Sequence, residues 1–173
     1  CLAERYREEI ETEIPEVDAI LGTNSYDAIV NAVNEALKGK KYERFAALEG
    51  LPKANAGRIL TTGGHYAYLK IAEGCNKHCT YCIIPYARGR VRSRQTKDVL
   101  EEVRDLAGNG YKEVVLTGIH LSSYGIDFDG QRHLLDLIKE VHKVEGIERI
   151  RLGSLEPGII TEEFAKELSE MPK

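Results

Sequence analysis

The chain has 173 residues, a net charge of −4 and no Trp, which fits one large domain or two small ones. It has no long apolar run or secretory pattern, so a helical membrane protein is excluded and a cytoplasmic chain with no membrane partner is expected. Four cysteines, three of them clustered, fit thiolates held in a reducing compartment better than a secreted disulfide scaffold.

Charge is uneven. Residues 1–64 carry 8 basic and 11 acidic side chains, 65–110 carry 8 and 5, and 111–173 carry 8 and 12. An anionic partner is therefore expected near the middle segment. The chain opens on Cys1 inside a helical pattern and its only Met is Met171, so it reads as an excerpt of a longer protein.

Leu2, Tyr6, Ile10 and Ile14 recur at helical spacing, and Pro15 ends that helix. Val17 to Leu21 reads as a strand. Ser25 is expected to cap a second helix with Ile29, Val33 and Leu37 on one face and Gly39 at its end. Residues 39–64 lose periodicity and gather Gly, Pro, Lys and Asn, which marks a linker and a domain boundary. From Tyr66 onward apolar strands alternate with amphipathic helices. The strands are 66–71, 113–117 and 149–152. The first helix is predicted to bury Val99, Leu100, Val103 and Leu106, and the second Leu134, Leu135, Ile138 and Val141. A last helix follows Thr161 with Phe164 and Leu168. This order predicts an α/β fold with a parallel sheet. Three βα units do not close a barrel, so 65–173 is read as the first part of one.

Cys75, Cys79 and Cys82 follow the first of these strands. Three neighbouring thiols always leave one over in any disulfide scheme, but they suit a soft metal centre. An iron–sulfur cubane held by three sulfurs keeps one iron open for chemistry. The rival is structural zinc completed by His65 or His78. Zinc sites favour cysteines two residues apart, so the three-residue gap between Cys75 and Cys79 argues for a cluster. So does the location at a strand's C-terminal end, where barrel active sites lie.

Cys75-x-x-x-Cys79-x-Tyr81-Cys82 resembles the signature of radical S-adenosylmethionine enzymes. The longer run from Tyr66 to Arg90, followed by Ser93-Arg94, is similar to one subfamily, the methylthiotransferases (MiaB-, RimO- and MtaB-like). The resemblance implies a flavodoxin-like N-terminal methylthiotransferase domain that holds a second [4Fe-4S] cluster, followed by a radical SAM partial TIM barrel. Residues 1–40 would be the end of the first, 41–64 a linker, and 65–173 the front of the second. Cys1 would be one ligand of the second cluster, although a lone terminal Cys is on its own an ordinary thiol. The implied cofactors are two [4Fe-4S] clusters in the intact parent and S-adenosyl-L-methionine. The open iron chelates the latter, and one electron releases a 5′-deoxyadenosyl radical that abstracts hydrogen from carbon. An electron donor such as flavodoxin or ferredoxin is implied as a partner.

Arg88, Arg90, Arg92 and Arg94 alternate, so in an extended segment they would project from one side. A solvated edge is the plain reading, but their place in the positive segment makes phosphate or carboxylate contact an equal expectation. Arg88 is the candidate catalytic residue. The resemblance makes Tyr81, Gly118, Ser154 and Glu156 the candidate cofactor-binding residues: in related enzymes the end of the second strand, here Gly118, meets the S-adenosylmethionine amino group, and Ser154 and Glu156 are similarly placed after the third. A plain turn would account for Gly118 equally well. The role of His120 stays open between a polar loop residue and a catalytic one.

Residues 1–82 resemble the RimO type, which modifies an aspartate of a small-subunit ribosomal protein. Residues 85–173 resemble the MtaB type, which modifies N6-threonylcarbamoyladenosine 37 of tRNA. The two substrates are nearly balanced on this reading, and a recombined sequence or a natural intermediate would each explain the switch. In another class altogether, the excerpt alone would be an inactive fragment or a zinc- or iron–sulfur-binding module.

Overall fold

The computed structural model describes residues 1–51, 59–61 and 63–173. The linker expected over 41–64 falls partly on 52–58 and 62, which lie outside the described residues. In chain order, the first elements are α1 (Leu2–Arg5), α2 (Arg7–Glu13), β1 (Ala19–Leu21), α3 (Ile29–Ala36) and β2 (Tyr42–Arg44). Then come β3 (Tyr66–Lys70), β4 (Ala72–Glu73), α4 (Ile84–Arg88), β5 (Arg92–Ser93), α5 (Thr96–Gly108) and β6 (Glu113–Thr117). The last are α6 (Ile126–Asp129), α7 (Leu134–His142), β7 (Arg149–Leu152) and α8 (Glu162–Ser169). They form two compact units: Cys1–Arg58 with Cys75–Arg90, and Ile59–Gly74 with Val91–Lys173.

In the first unit β1 and β2 pair in parallel, Ala19 opposite Tyr42 and Leu21 opposite Arg44, with α3 as the crossover. The strand at 42–44 lies where the sequence reads as linker. Only Tyr42 of its three residues is even half-buried, so no apolar alternation announces it. It is held by the backbone ladder and by Arg7, whose guanidinium lies 2.6 Å from the Glu43 carboxylate and over the Phe45 ring. The helix expected over 2–14 breaks at Tyr6, whose φ of −123° is not helical. Ser25 does not cap a helix with its side chain. It is fully buried, and its Oγ accepts from the Ala46 N–H at 2.8 Å. A 3-10 turn (Tyr26–Ala28) precedes α3, and that rotation buries Ala28 and Ala32 while Ile29, Val33 and Leu37 are exposed.

The second unit is built on a three-stranded parallel sheet in the order β3-β6-β7. Central β6 is buried along Glu113–Leu116, and its apolar run Val114–Leu116 suits a strand covered on both faces. Val99, Val103 and Leu106 of α5 and Leu134, Leu137, Ile138 and Val141 of α7 are buried in one core with Leu69, Val114 and Leu116. Leu137, not the Leu135 expected from the sequence, lies on the fully buried face of α7. Thr161 caps α8 by accepting from the Phe164 N–H at 3.1 Å, as its position predicts. The alternating strands and helices agree with the expected opening of a barrel.

Tyr124 is wholly buried and its hydroxyl donates to the Arg94 carbonyl at 2.8 Å; burial pushes its phenol pKa up. Gly125 follows with φ +85°, where an added Cβ would come within 2.6 Å of His133, so glycine is required there.

His133 sits 3.0 Å from Asp129 and 3.2 Å from Asp136. The hydrogen bond to Asp129, then that to Asp136, raises the imidazole pKa, and the bond to His133 lowers that of Asp129. The His133 contribution to stability is therefore complete below its unfolded value of about 6.5 and is lost as pH rises through the raised folded value. The Asp129 contribution is present above about 3.9 and is lost as pH falls through the lowered value. Thermal melts across pH 6–9 should thus fall less steeply for His133→Gln than for the unaltered chain, by a small margin because the pair is exposed.

Candidate active site

The cysteine loop leaves β4 at Gly74 and ends at Gly89, both with positive φ (+74° and +73°). Within the first unit its neck is closed by the Cys75 N–H donating to the Gly89 carbonyl at 3.0 Å. Cys82 N–H donates to the Cys79 carbonyl at 2.9 Å, and the Lys77 N–H points at Cys75 Sγ at 3.4 Å. Pro85 lies in the first turn of α4, where a missing N–H costs nothing. The Thr23 hydroxyl donates to the Ala87 carbonyl at 2.9 Å and fixes that helix. The segment 75–90 carries Lys77, Arg88 and Arg90 and no acidic residue.

All four cysteines are free thiols; Cys1 and Cys79 are exposed, and Cys75 and Cys82 half-buried. Among the described residues no three His, Cys, Asp or Glu side chains converge closely enough to hold a metal ion. A cluster of several irons spreads its ligands more widely than one zinc ion does. Three soft, unbridged donors on a single loop with a backbone N–H aimed at one sulfur therefore fit a cubane. They fit zinc less well, since tetrahedral coordination needs four donors around one point. Tyr81 is 91% exposed within this loop.

Arg88 ends α4, and its Nε lies 3.2 Å from Cys1 Sγ, which brings together two residues far apart in sequence. The expected one-sided arginine row does not form, because its premise was extended backbone. Arg88 is helical, Arg92 is buried in β5, and Arg94 turns inward to Glu102 at 2.7 Å and the Lys70 carbonyl at 3.0 Å. Arg94 thus serves the second unit's interior.

In the second unit Gly118 directly follows β6. A Cβ there would make only ordinary contact, 3.5 Å from the Ala72 carbonyl, so packing does not demand glycine. Ser154, after β7, is exposed and has φ +54°, the described non-glycine residue in the left-handed region. Such backbone is tolerated where its surroundings hold it. Glu156 is held: its N–H donates to the Ser122 Oγ at 2.9 Å and its Oε2 lies 3.3 Å from His120 Nε2. His120 Nδ1 lies 2.5 Å from the Ser123 Oγ. The two strand ends after β6 and β7 are thereby joined. Sequence alone does not single out Ser122 and Ser123, and no local pattern marks them because their partner lies on another strand end.

A family model of the radical SAM superfamily matches residues 69–173. Along its whole length the chain is 44% identical to the ribosomal protein uS12 methylthiotransferase RimO of Lachnoclostridium phytofermentans, covering 39% of that protein. It is 41% identical to that of Clostridium tetani, again covering 39%. It is 44% identical to that of Acetivibrio thermocellus, covering 40%. The chain thus spans about two-fifths of the length of these curated relatives. A solved radical S-adenosylmethionine methyltransferase, TsrM from Kitasatospora setae with cobalamin and a [4Fe-4S] cluster bound, is 23% identical over 60% of this chain and 20% of its own, with a TM-score of 0.47. The match over 69–173 takes in the end of β3, the cysteine loop, the whole of β6 and β7 and both strand-end segments: the chain belongs to the radical SAM superfamily.

Proposed function

We propose that the protein to which this chain belongs is a methylthiotransferase that inserts a methylthio group at a C–H bond of an aspartate in the small-subunit ribosomal protein uS12. The observation that supports this most is the loop of three free thiols within a chain 40–44% identical, end to end, to enzymes of that name. The near balance between tRNA and ribosomal protein expected from sequence tips to the latter. Relatives of the ribosomal kind match over residues 85–173, where the tRNA-type motifs lie, as well as over 1–82.

Cys75, Cys79 and Cys82 would hold the [4Fe-4S] cluster, which when bound supplies the electron that splits S-adenosylmethionine. Tyr81 and Gly118 would bind the cofactor with Ser154 and Glu156, Gly118 by letting it approach the backbone. Cys1 would be one ligand of a second cluster, and Arg88, in contact with Cys1 Sγ, would be the residue acting beside it. On this reading 1–40 together with β2 closes the second-cluster domain, the linker lies within the remainder of 41–64, and 65–173 opens the barrel. A flavodoxin or ferredoxin would supply electrons.

Anaerobic reconstitution of the full-length protein should give iron–sulfur absorbance that changes on adding S-adenosylmethionine, and 5′-deoxyadenosine on reduction. Mass spectrometry of uS12 from a deletion strain should show loss of the methylthio mass with tRNA unaltered. Stoichiometric zinc with no iron uptake would refute the cluster. Loss of a tRNA modification instead would refute the substrate.

A further inference from the structure

We infer that Thr23 is a positioning residue that holds the Arg88 guanidinium on the Cys1 sulfur and so keeps the reduction potential of the proposed second cluster high. The inference rests on the reading of Cys1 as a ligand of that cluster. All the residues involved lie in the first unit. Two short helices carry the pair. Helix α1 has four residues and follows directly on Cys1, and α4 has five and ends at Arg88. A helix of about one turn does not hold itself in water, so the place of each reactive end is set by what anchors it. Both helices are anchored on Thr23.

The Thr23 N–H donates to the Glu4 carboxylate of α1 at 2.7 Å, and its hydroxyl donates to the Ala87 carbonyl of α4 at 2.9 Å. Glu4 is the third residue of α1, a position from which a side chain can turn back to cap its own helix. Here it reaches the turn after β1 instead. Gly22 makes room for it, since a Cβ there would come within 2.7 Å of Glu4 Oε2 and 2.8 Å of the Phe45 ring. At the end of α4 the last carbonyls have no partner within the helix. Gly89 follows with φ +73° and ψ −170°, which is not the left-handed helical turn that closes many helix ends. Ala87 is 1% exposed, so its carbonyl cannot turn to water, and the Thr23 hydroxyl supplies the donor. One residue further on, Arg88 Nε donates to Cys1 Sγ at 3.2 Å. The contacts thus close a ring: Cys1 to Glu4 along α1, Glu4 to Thr23, Thr23 to Ala87, and Arg88 back to Cys1. Bracing the turn after β1 needs only one of the two Thr23 bonds; both together fix α1 and α4 to each other. An N–H donated to a ligand sulfur, with positive charge beside it, stabilises a reduced cluster and raises its potential. Thr23 acts on that potential through Arg88.

The test uses the full-length protein, reconstituted anaerobically, with cluster reduction followed by electron paramagnetic resonance at a series of fixed potentials. The signal that changes on adding S-adenosylmethionine marks the cluster of the cysteine loop, and the other signal marks the second cluster. Thr23→Val keeps the side chain's shape and removes its hydroxyl. It should lower the second cluster's reduced-to-oxidised ratio at a given potential about tenfold, which is about 59 mV for one electron, and leave the first cluster in place. Thr23→Ser should restore the potential. Glu4→Ala should lower it too, while Glu4→Gln, which keeps an oxygen for the Thr23 N–H, should not. Arg88→Met should lower it at least as far as Thr23→Val does. Adding Thr23→Val to Arg88→Met should then change little, because the effect passes through Arg88. Glu4→Ala carries the comparison if Thr23→Val does not fold. An unshifted second cluster in both Thr23→Val and Glu4→Ala, or a Thr23→Val shift that adds fully to that of Arg88→Met, would overturn the inference. An equal fall at both clusters would overturn it as well, since that marks a general loosening. Unaltered protein that binds only about four irons, all in the S-adenosylmethionine-sensitive signal, would remove the second-cluster reading and the inference with it, before any variant is made.

Discussion

A Cys79→Ala variant of the full-length protein should lose S-adenosylmethionine cleavage to background while keeping its fold. Cys79 is exposed, so its removal should change stability by no more than about 0.5 kcal/mol. Its chemical loss is total, because a cubane with only two protein sulfurs has no secure hold on the loop. Cys75→Ala and Cys82→Ala should behave alike. Cys1→Ala separates the proposed clusters: it should retain reductive cleavage, read as 5′-deoxyadenosine, yet transfer no methylthio group to uS12. Measurement needs iron content, 5′-deoxyadenosine yield and uS12 mass on the same preparations. Cleavage persisting in Cys79→Ala would take that residue out of the ligand set. Loss of cleavage in Cys1→Ala would mean that the two sites do not work independently.

The second large effect is on stability and separates two neighbouring leucines. Leu137 is 1% exposed, in the core shared by β6, α5 and α7, whereas Leu135 only packs against its margin. Leu137→Ala should cost about 2–5 kcal/mol through lost burial and the cavity left behind. Leu135→Ala should cost about 1 kcal/mol. Against a total stability of about 5–15 kcal/mol, the first loss moves the urea midpoint far and the second only slightly. Equal midpoints in the two variants would contradict the buried face described for α7.

The Leu135 and Leu137 pair shows how far the sequence could be read. Strands β3, β6 and β7 were legible because short β-branched and aromatic runs, bounded by turn residues, admit little else. Helix α7 was legible as a helix, and its face was nearly so: Leu134, Leu137, Ile138 and Val141 follow the i, i+3, i+4, i+7 rule, and a single misplaced leucine hid it. In α3 the apolar stripe Ile29, Val33 and Leu37 misled, because the 3-10 turn before it sets a phase that periodicity cannot reveal. The arginine row failed for a related reason. A period of two has meaning only on extended backbone, and helix α4 ends inside the segment. At the site, the three loop cysteines carry their chemistry in their spacing. The His120–Glu156 link carries none, since parallel strands bring together residues that the chain separates.

The neck closed by Cys75 and Gly89 has a consequence for anyone dissecting the protein. The segment matched by the superfamily runs unbroken from 69 to 173, yet the stretch Cys75–Arg90 within it packs with Cys1–Arg58. Family boundary and packing boundary therefore do not coincide. A recombinant piece begun at residue 59 would keep every loop cysteine but shed Thr23, whose hydroxyl holds Ala87, and Cys1, which meets Arg88. Such a piece would present its thiols without those two contacts. Trimming from the amino end should therefore disturb the cysteine loop well before it disturbs the parallel sheet.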